Sequence, residues 1–212
     1  MLKDLTIIDF ANETASNSPA PGGGSIAALN AAMAASLLTM VANLTIGKKK
    51  YADFSKRAEE IKNECAKYKD LFVEAIDKDA SSFNGVMDAM KLPKETEDEK
   101  KIRAEKIQEG YKKAIEVPLT LGTKVTELYP YCKELAENGN SNAITDVAVA
   151  LINIKAASEG AFLNVKINLN SLKDQDYKKE LEEKMEKVAK IIKENDQSIM
   201  KVVDEKLAWD IF

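Results

Sequence analysis

Histidine is absent from the 212 residues, and this removes more chemistry than any other feature of the composition. Ser-His and Cys-His nucleophile pairs, H-E-x-x-H metal sites and imidazole proton shuttles are all excluded. Acid or base work must fall to Asp, Glu, Lys, Tyr or Cys. The only two cysteines, Cys65 and Cys132, are far apart within helix-like sequence. They make neither a C-x-x-C redox pair nor a zinc-knuckle spacing, and read as buried thiols. Nine Gly and five Pro leave few helix breakers. A basic excess is missing too: 31 Lys and Arg against 35 Asp and Glu give a net charge of -4, which excludes a general nucleic-acid binder that relies on phosphate neutralisation. The start Met-Leu-Lys-Asp-Leu has no basic segment leading into an apolar stretch and cleavage site, so a cytoplasmic protein is expected.

Apolar residues at 45% and charged residues at 31% suffice for a packed core under a solvated surface. The length fits one domain spanning 1–212. From Thr14 to Gly47 no residue is charged, and Ser25–Ile46 is long enough to cross a bilayer. Its Ala-rich composition, its interspersed Asn30, Ser36, Thr39, Asn43 and Thr45, and its lack of aromatic anchors argue against a membrane span. It reads instead as a buried central helix whose alanines let neighbours approach closely, within one subunit or across a dimer interface.

Between Ser55 and Met90 apolar residues recur at steps of three and four, from Ala58 through Ile61, Cys65, Tyr68, Phe72 and Ile76 to Phe83, Val86 and Met90, the period of one helix face. Asp79 occupies the one missing step. Thr96 with Glu99 makes a capping box for a further helix, which Pro118 is expected to kink or break. Helical pattern resumes from Leu121 to Leu135 and stops at Asn138-Gly139. Asn140 or Ser141 can cap the next segment. Ala143–Leu163 is a second apolar helix, Asn164–Leu169 is expected as a short extended piece, and Asp176–Leu207 is a last amphipathic helix. The class is all-α, an antiparallel helical bundle with two buried apolar helices.

The stretch Ser-Pro-Ala-Pro-Gly-Gly-Gly-Ser at 18–25 ends where the first apolar helix starts. Open backbone N–H groups of Gly22, Gly23 and Gly24 would converge there as a cradle for an anion or polar ligand, with Ser25 as the helix N-cap. A tight turn feeding a buried helix explains the same residues. Gly22, Gly24 and Ala27 also satisfy G-x-G-x-x-A, but no strand precedes them and no acidic ribose ligand follows, so a dinucleotide site is excluded. Asp79, on an apolar helix face, would have a raised pKa and could carry a proton near neutrality; a salt-bridged structural Asp would look identical in sequence. Asp77, two residues away, does not share that face. Asp146 either complements a helix dipole or serves as a partner for a cationic substrate or a second proton carrier. Lys48, Lys49 and Lys50 suit the C-terminus of the apolar helix, substrate carboxylates or plain solvation.

The 18–25 stretch, Asp-Lys-Asp-Ala (77–80), Met-Lys-Leu-Pro-Lys (90–94), Val-Pro-Leu (117–119), Gly-Asn (139–140), Thr-Asp-Val (145–147) and Asn-Val-Lys-Ile-Asn (164–168) form an ordered set. In this set the chain resembles the formiminotetrahydrofolate cyclodeaminase and methenyltetrahydrofolate cyclohydrolase family, from about Leu5 to Val203. Thr145 stands where the family often has Ser, a departure that keeps the hydroxyl. The resemblance implies a helical homodimer in stand-alone form that acts on the one-carbon group of tetrahydrofolate, without metal or organic cofactor. Both family reactions pass through a tetrahedral carbon between N5 and N10. The implied roles are Asp79 as acid/base and Asp146 as the stabiliser of substrate cation. Gly22 to Ser25, Asn140, Asn164 and Asn168 would orient the folate, and Lys48 or Lys49 would lie near its glutamate tail. The alternative is a non-catalytic helical homodimer serving as a folate-binding or protein-interaction scaffold.

Overall fold

The computed structural model describes residues 1–208. Among them no strand forms, and eight α-helices follow one another: α1 (Ile7–Thr14), α2 (Gly23–Thr45), α3 (Ser55–Ser82), α4 (Asn84–Met90), α5 (Glu97–Lys124), α6 (Tyr129–Asn138), α7 (Ile144–Leu169) and α8 (Gln175–Leu207). The expected capping box is present at the start of α5, where the Thr96 side chain accepts from the Glu99 backbone and Glu99 reaches back. α6 ends at Asn138 with Gly139 as its cap. A side chain at Gly139 would meet the Leu135 carbonyl at 2.5 Å, so closeness of backbone explains the glycine. Cys65 and Cys132 are free and buried, and burial pushes the Cys65 thiol up to about 12.

α2 lies between α3 and α7 and runs antiparallel to both. Ser25 at its start meets Ile76 and Asp79 near the end of α3, while beyond its other end Gly47 donates to Ser55 at 3.1 Å. Against α7, Gly23 lies beside Asn164 and Ala27 beside Gly160; at the far end Thr45 Oγ1 accepts from the Asn140 backbone at 3.0 Å. Ala27, Ala28, Ala31, Ala32, Ala34 and Ala35 are all buried, because small side chains let two neighbouring helices close onto α2. α7 packs in turn on α5, where the buried Ser158 hydroxyl donates to the Gly122 carbonyl at 2.6 Å. A Cβ at Gly122 would enter the Phe162 ring at 2.6 Å.

The two apolar helices are covered only in part. α2 leaves Met33, Met40 and Leu44 at 45%, 37% and 42% exposure, and α7 leaves Val149, Ile152, Leu163 and Ile167 exposed. Three further expectations need correction. Pro118 neither breaks nor ends α5, which continues to Lys124. A proline in a helix interior costs about 3 kcal/mol, but here the residue is buried in the packed α5 face and tertiary contact holds the helix. Asn164–Leu169 is not extended, because α7 runs to Leu169 with Ala161, Val165 and Leu169 buried one turn apart. Ser25 is not an N-cap: Gly22 takes that place, and Ser25 is the third residue inside α2.

Candidate active site

The break between α3 and α4 at Phe83 and the start of α2 border a cavity of about 300 Å³. Gly22, Gly23 and Gly24 form one wall, Asp79, Phe83 and Met87 another, Ala114 and Pro118 of α5 a third, and Asn164, Ile167 and Asn168 of α7 the last. The first N–H groups of α2 have no side-chain cap, so their partial positive charge is directed at this space. Asn164 is held in place by donating from Nδ2 to the Gly160 carbonyl at 2.8 Å. Asn164 and Asn168 lie one helical turn apart and present their amides on the same side of α7.

Among the described residues Asp79 is the only charged side chain lining the cavity. Burial pushes its carboxyl above the ordinary carboxylate value, while hydrogen bonds from the Ser25 hydroxyl and backbone pull it down. Helix α3 positions it: with Phe72, Ile76 and Phe83 it shares the inward face, while Asp77 turns away and accepts from the Leu2 backbone at 2.7 Å. Gly24 makes the approach possible. A Cβ there would lie 2.1 Å from Asp79 Oδ1 and 2.6 Å from Oδ2, closer than any atoms can stand. The glycine is needed for space and not for an unusual backbone angle.

Within one chain the remaining predicted residues gather elsewhere. Lys48 and Lys49 are exposed beyond the C-terminus of α2, about 35 Å from Gly23 at 1.5 Å rise per residue. Asn140 lies at that same end, donating from Nδ2 to the Leu44 carbonyl at 2.9 Å and capping the turn into α7. Tyr51 joins it, 3.0 Å from the Ser141 hydroxyl, to which Lys50 also donates. Asp146 is half-buried in the first turn of α7, about 27 Å from Asn164 along the helix. Asp146 is therefore no partner of Asp79 inside one subunit. Ser25, expected to face the ligand, is fully buried and contacts the carboxyl instead of lining the cavity.

Several lining residues escaped the sequence reading, namely Phe83, Met87, Ala114, Pro118 and Ile167. Phe83 and Met87 follow Asp79 at steps of four, so the same helical count that singled out the aspartate could have found them. Pro118 carried a signal as well: without an N–H it cannot donate to the Ala114 carbonyl one turn earlier, and both residues border the cavity. Two larger open grooves, of about 1070 and 1030 Å³, lie between α7 and α8. Charges of both signs line them, including the Lys155–Asp196 pair at 3.1 Å, and none of the predicted site residues does.

An all-helical chain with one raised carboxyl under a glycine-rich helix start belongs to a definable class. Residues 6–187 match the formiminotransferase-cyclodeaminase family, and the chain belongs to that family. It is 39% identical over 180 residues to a methenyltetrahydrofolate cyclohydrolase of Methylorubrum extorquens, covering 85% of this chain and 86% of that one. It is 33% identical over 199 residues to the formimidoyltransferase-cyclodeaminase of Gallus gallus, covering 94% of this chain but only 37% of the longer protein. The crystal structure of formiminotetrahydrofolate cyclodeaminase from Thermotoga maritima superposes with a TM-score of 0.86 at 30% identity, over 99% of this chain and all of that one.

Two substitutions test this geometry. Gly24→Ala adds helix propensity worth up to about 1 kcal/mol yet must displace Asp79; a folded protein with a thermal midpoint near that of the parent and turnover reduced at least about a hundredfold is expected. Asp79→Asn tests the raised pKa through stability. The folded carboxyl holds its proton to higher pH than the unfolded one, so Asp79 lowers stability as pH rises through the folded pKa. Asp79→Asn should therefore raise the denaturant midpoint at pH 8, and the gain should vanish as pH falls below the unfolded carboxylate value of about 3.9.

Proposed function

We propose that this protein is a tetrahydrofolate one-carbon enzyme that forms or opens the 5,10-methenyl bridge, with Asp79 as its acid/base. The observation that carries the reading is the single raised carboxyl between an uncapped helix start and two aligned asparagines. In the cyclodeaminase direction N10 attacks the carbon of the protonated formimino group on N5, whose nitrogen already carries two hydrogens. The carboxylate takes the N10 proton and passes it to the departing nitrogen, and ammonia leaves. In the cyclohydrolase direction water adds to the methenyl carbon as the carboxylate takes its proton. That proton goes to N5 as the bond between N5 and the former methenyl carbon breaks to give the 10-formyl compound, and the remaining hydroxyl proton is released to solvent. One group that accepts a proton from the attacking atom and returns it to the leaving nitrogen serves both. Asn164, Asn168 and the α2 amides orient the pterin, and Phe83, Met87 and Ile167 supply apolar contact.

At about 300 Å³ the cavity is at the small end of ligand sites. It suits the pterin and the reacting carbon, with the aminobenzoyl-glutamate tail leaving it. The same proposal includes a homodimer. Met33, Met40 and Leu44 with half-buried Leu37 form one uncharged stripe on α2, of the kind that marks an interface. Pairing this stripe with itself about a two-fold axis between Ser36 and Leu37 sets α2 antiparallel to its copy. The glycine-rich start of α2 then lies near the C-terminal end of the partner's α2, beyond which Lys48 and Lys49 follow, and a cationic cluster would meet the anionic glutamate tail where it leaves the cavity.

Absorbance of the methenyl chromophore, followed with 5-formiminotetrahydrofolate and separately with 5,10-methenyltetrahydrofolate, tests the reaction. A catalysed rise in the first mixture or an accelerated loss in the second is expected, reduced about 10²- to 10⁴-fold in Asp79→Asn. Full turnover in that variant, or none in the parent, defeats the assignment. The shared site has its own test in mixed dimers of Asp79→Asn with Lys48→Glu/Lys49→Glu subunits. Each homodimer should be impaired, whereas the mixed dimer regains one intact site and about half of parental activity per dimer. Absence of recovery on mixing would defeat the shared site, because within one subunit the lysines and Asp79 stand at opposite ends of α2.

A further inference from the structure

The buried Ser25 is more than part of the glycine-rich turn. Its side chain is completely covered, and its Oγ stands 3.1 Å from the Ile76 carbonyl and 3.1 Å from Asp79 Oδ2. A hydroxyl has one hydrogen to donate and lone pairs to accept with, so it cannot donate to both at once. We propose that Ser25 is a positioning residue whose hydroxyl pivots between the Ile76 carbonyl and the Asp79 carboxyl, holding that carboxyl in one place in both of its protonation states.

When Asp79 is ionised, Ser25 O–H donates to Oδ2 and Ile76 keeps its helical partner. When Asp79 carries the proton, its own O–H donates to Ser25 Oγ, and the Ser25 hydrogen swings to the Ile76 carbonyl. Heavy atoms need not move, and neither state leaves the Ser25 hydroxyl or Asp79 Oδ2 without a partner, a loss that is costly in a buried site. A group that must accept and return a proton within one turnover gains from such a partner, because its reach to the reacting carbon stays constant. Alanine would lack the hydroxyl, and a backbone amide can donate only. Gly24 makes room for Oδ1 on one side of the carboxyl and Ser25 holds Oδ2 on the other.

Among the described residues no other charge lines this cavity. From α2 the neighbours are glycines and Ser25, from α4 Asn84 and Met87, from α5 Ala114 and Pro118, and from α7 Asn164, Ile167 and Asn168. On α3 itself Asp77 is tied to the Leu2 amide and Lys78 is exposed. Titration of Asp79 is thus governed by burial and by Ser25.

The inference rests on Asp79 as the acid/base, and its test separates the two. Asp79 is titrated by carboxyl carbon NMR of aspartate-labelled protein, its resonance identified by its loss in Asp79→Asn, alongside the pH profile of kcat/KM. Because the bond from the hydroxyl to the charged carboxylate is stronger than the one it accepts from the neutral acid, Ser25→Ala should raise the Asp79 pKa by about one unit, move the corresponding limb of the pH profile equally, and lower kcat about tenfold with KM changed less than about twofold. Ser25→Thr, which keeps the hydroxyl, should stay near the parental pKa, and thermal melts report the folding of both. An unchanged Asp79 pKa in Ser25→Ala, or an equal shift in Ser25→Thr, overturns the pivot. Full turnover in Asp79→Asn would instead remove the acid/base role, while the NMR titration still reports whether Ser25 governs the carboxyl.

Discussion

The Asp79 carboxyl occupies the volume that a side chain at Gly24 would need, and the candidate site is organised around that contact. Here α3 can bring its carboxyl this close to the first turn of α2 because position 24 has no Cβ. Given that space, the uncapped amides of α2, the Ser25 hydroxyl and the acidic side chain fall within one small region. Burial there raises the carboxyl, and the hydrogen bonds from Ser25 limit the rise. A raised carboxyl is the kind of group that the proposed acid/base role calls for in a chain without imidazole.

Around this contact the antiparallel arrangement of α3, α2 and α7 sets the scale of the molecule. Alanines along α2 let both neighbours close in, and the length of α2 separates its glycine-rich start from the Lys48–Lys50 end. Asn164 and Asn168 come to the first end because α7 runs back past α2, and Asp146 and Asn140 are carried to the second for the same reason. Distribution of polar groups to two ends of one long helix is what gives the uncovered stripe of α2 its significance. Self-pairing of that stripe would reunite the ends across subunits.

Much of this was legible in the residues. The period of three and four through Ile61, Cys65, Phe72 and Ile76 marks the inward face of α3, and Asp79 stands out because it interrupts the apolar series. Thr96 with Glu99 and Asn138 with Gly139 mark helix ends through local hydrogen bonding, which needs no distant partner. Reading fails where tertiary packing outweighs a local preference. Pro118 remains inside α5 because the buried face holds the helix across the missing bond, and Asn164–Leu169 stays helical because Val165 and Leu169 are buried. Ser25 has the chemistry of an N-cap, yet the cap falls three residues sooner, at Gly22, and the Ser25 hydroxyl is taken up by Ile76 and Asp79 of α3.

The amino-acid sequence by itself determined the all-helical class, the absence of imidazole chemistry, the helix faces and the candidacy of Asp79, because these follow from composition and from contacts within a turn or two. Only the tertiary structure decided which candidates meet. It joined Asp79 with Gly24, Ser25, Asn164 and Asn168, separated them from Lys48, Lys49, Asn140 and Asp146, and turned Ser25 from the cavity to the carboxyl. Residues distant in the chain become neighbours through the direction and closeness of helix packing, and those depend on many small side chains acting together, which no local pattern records.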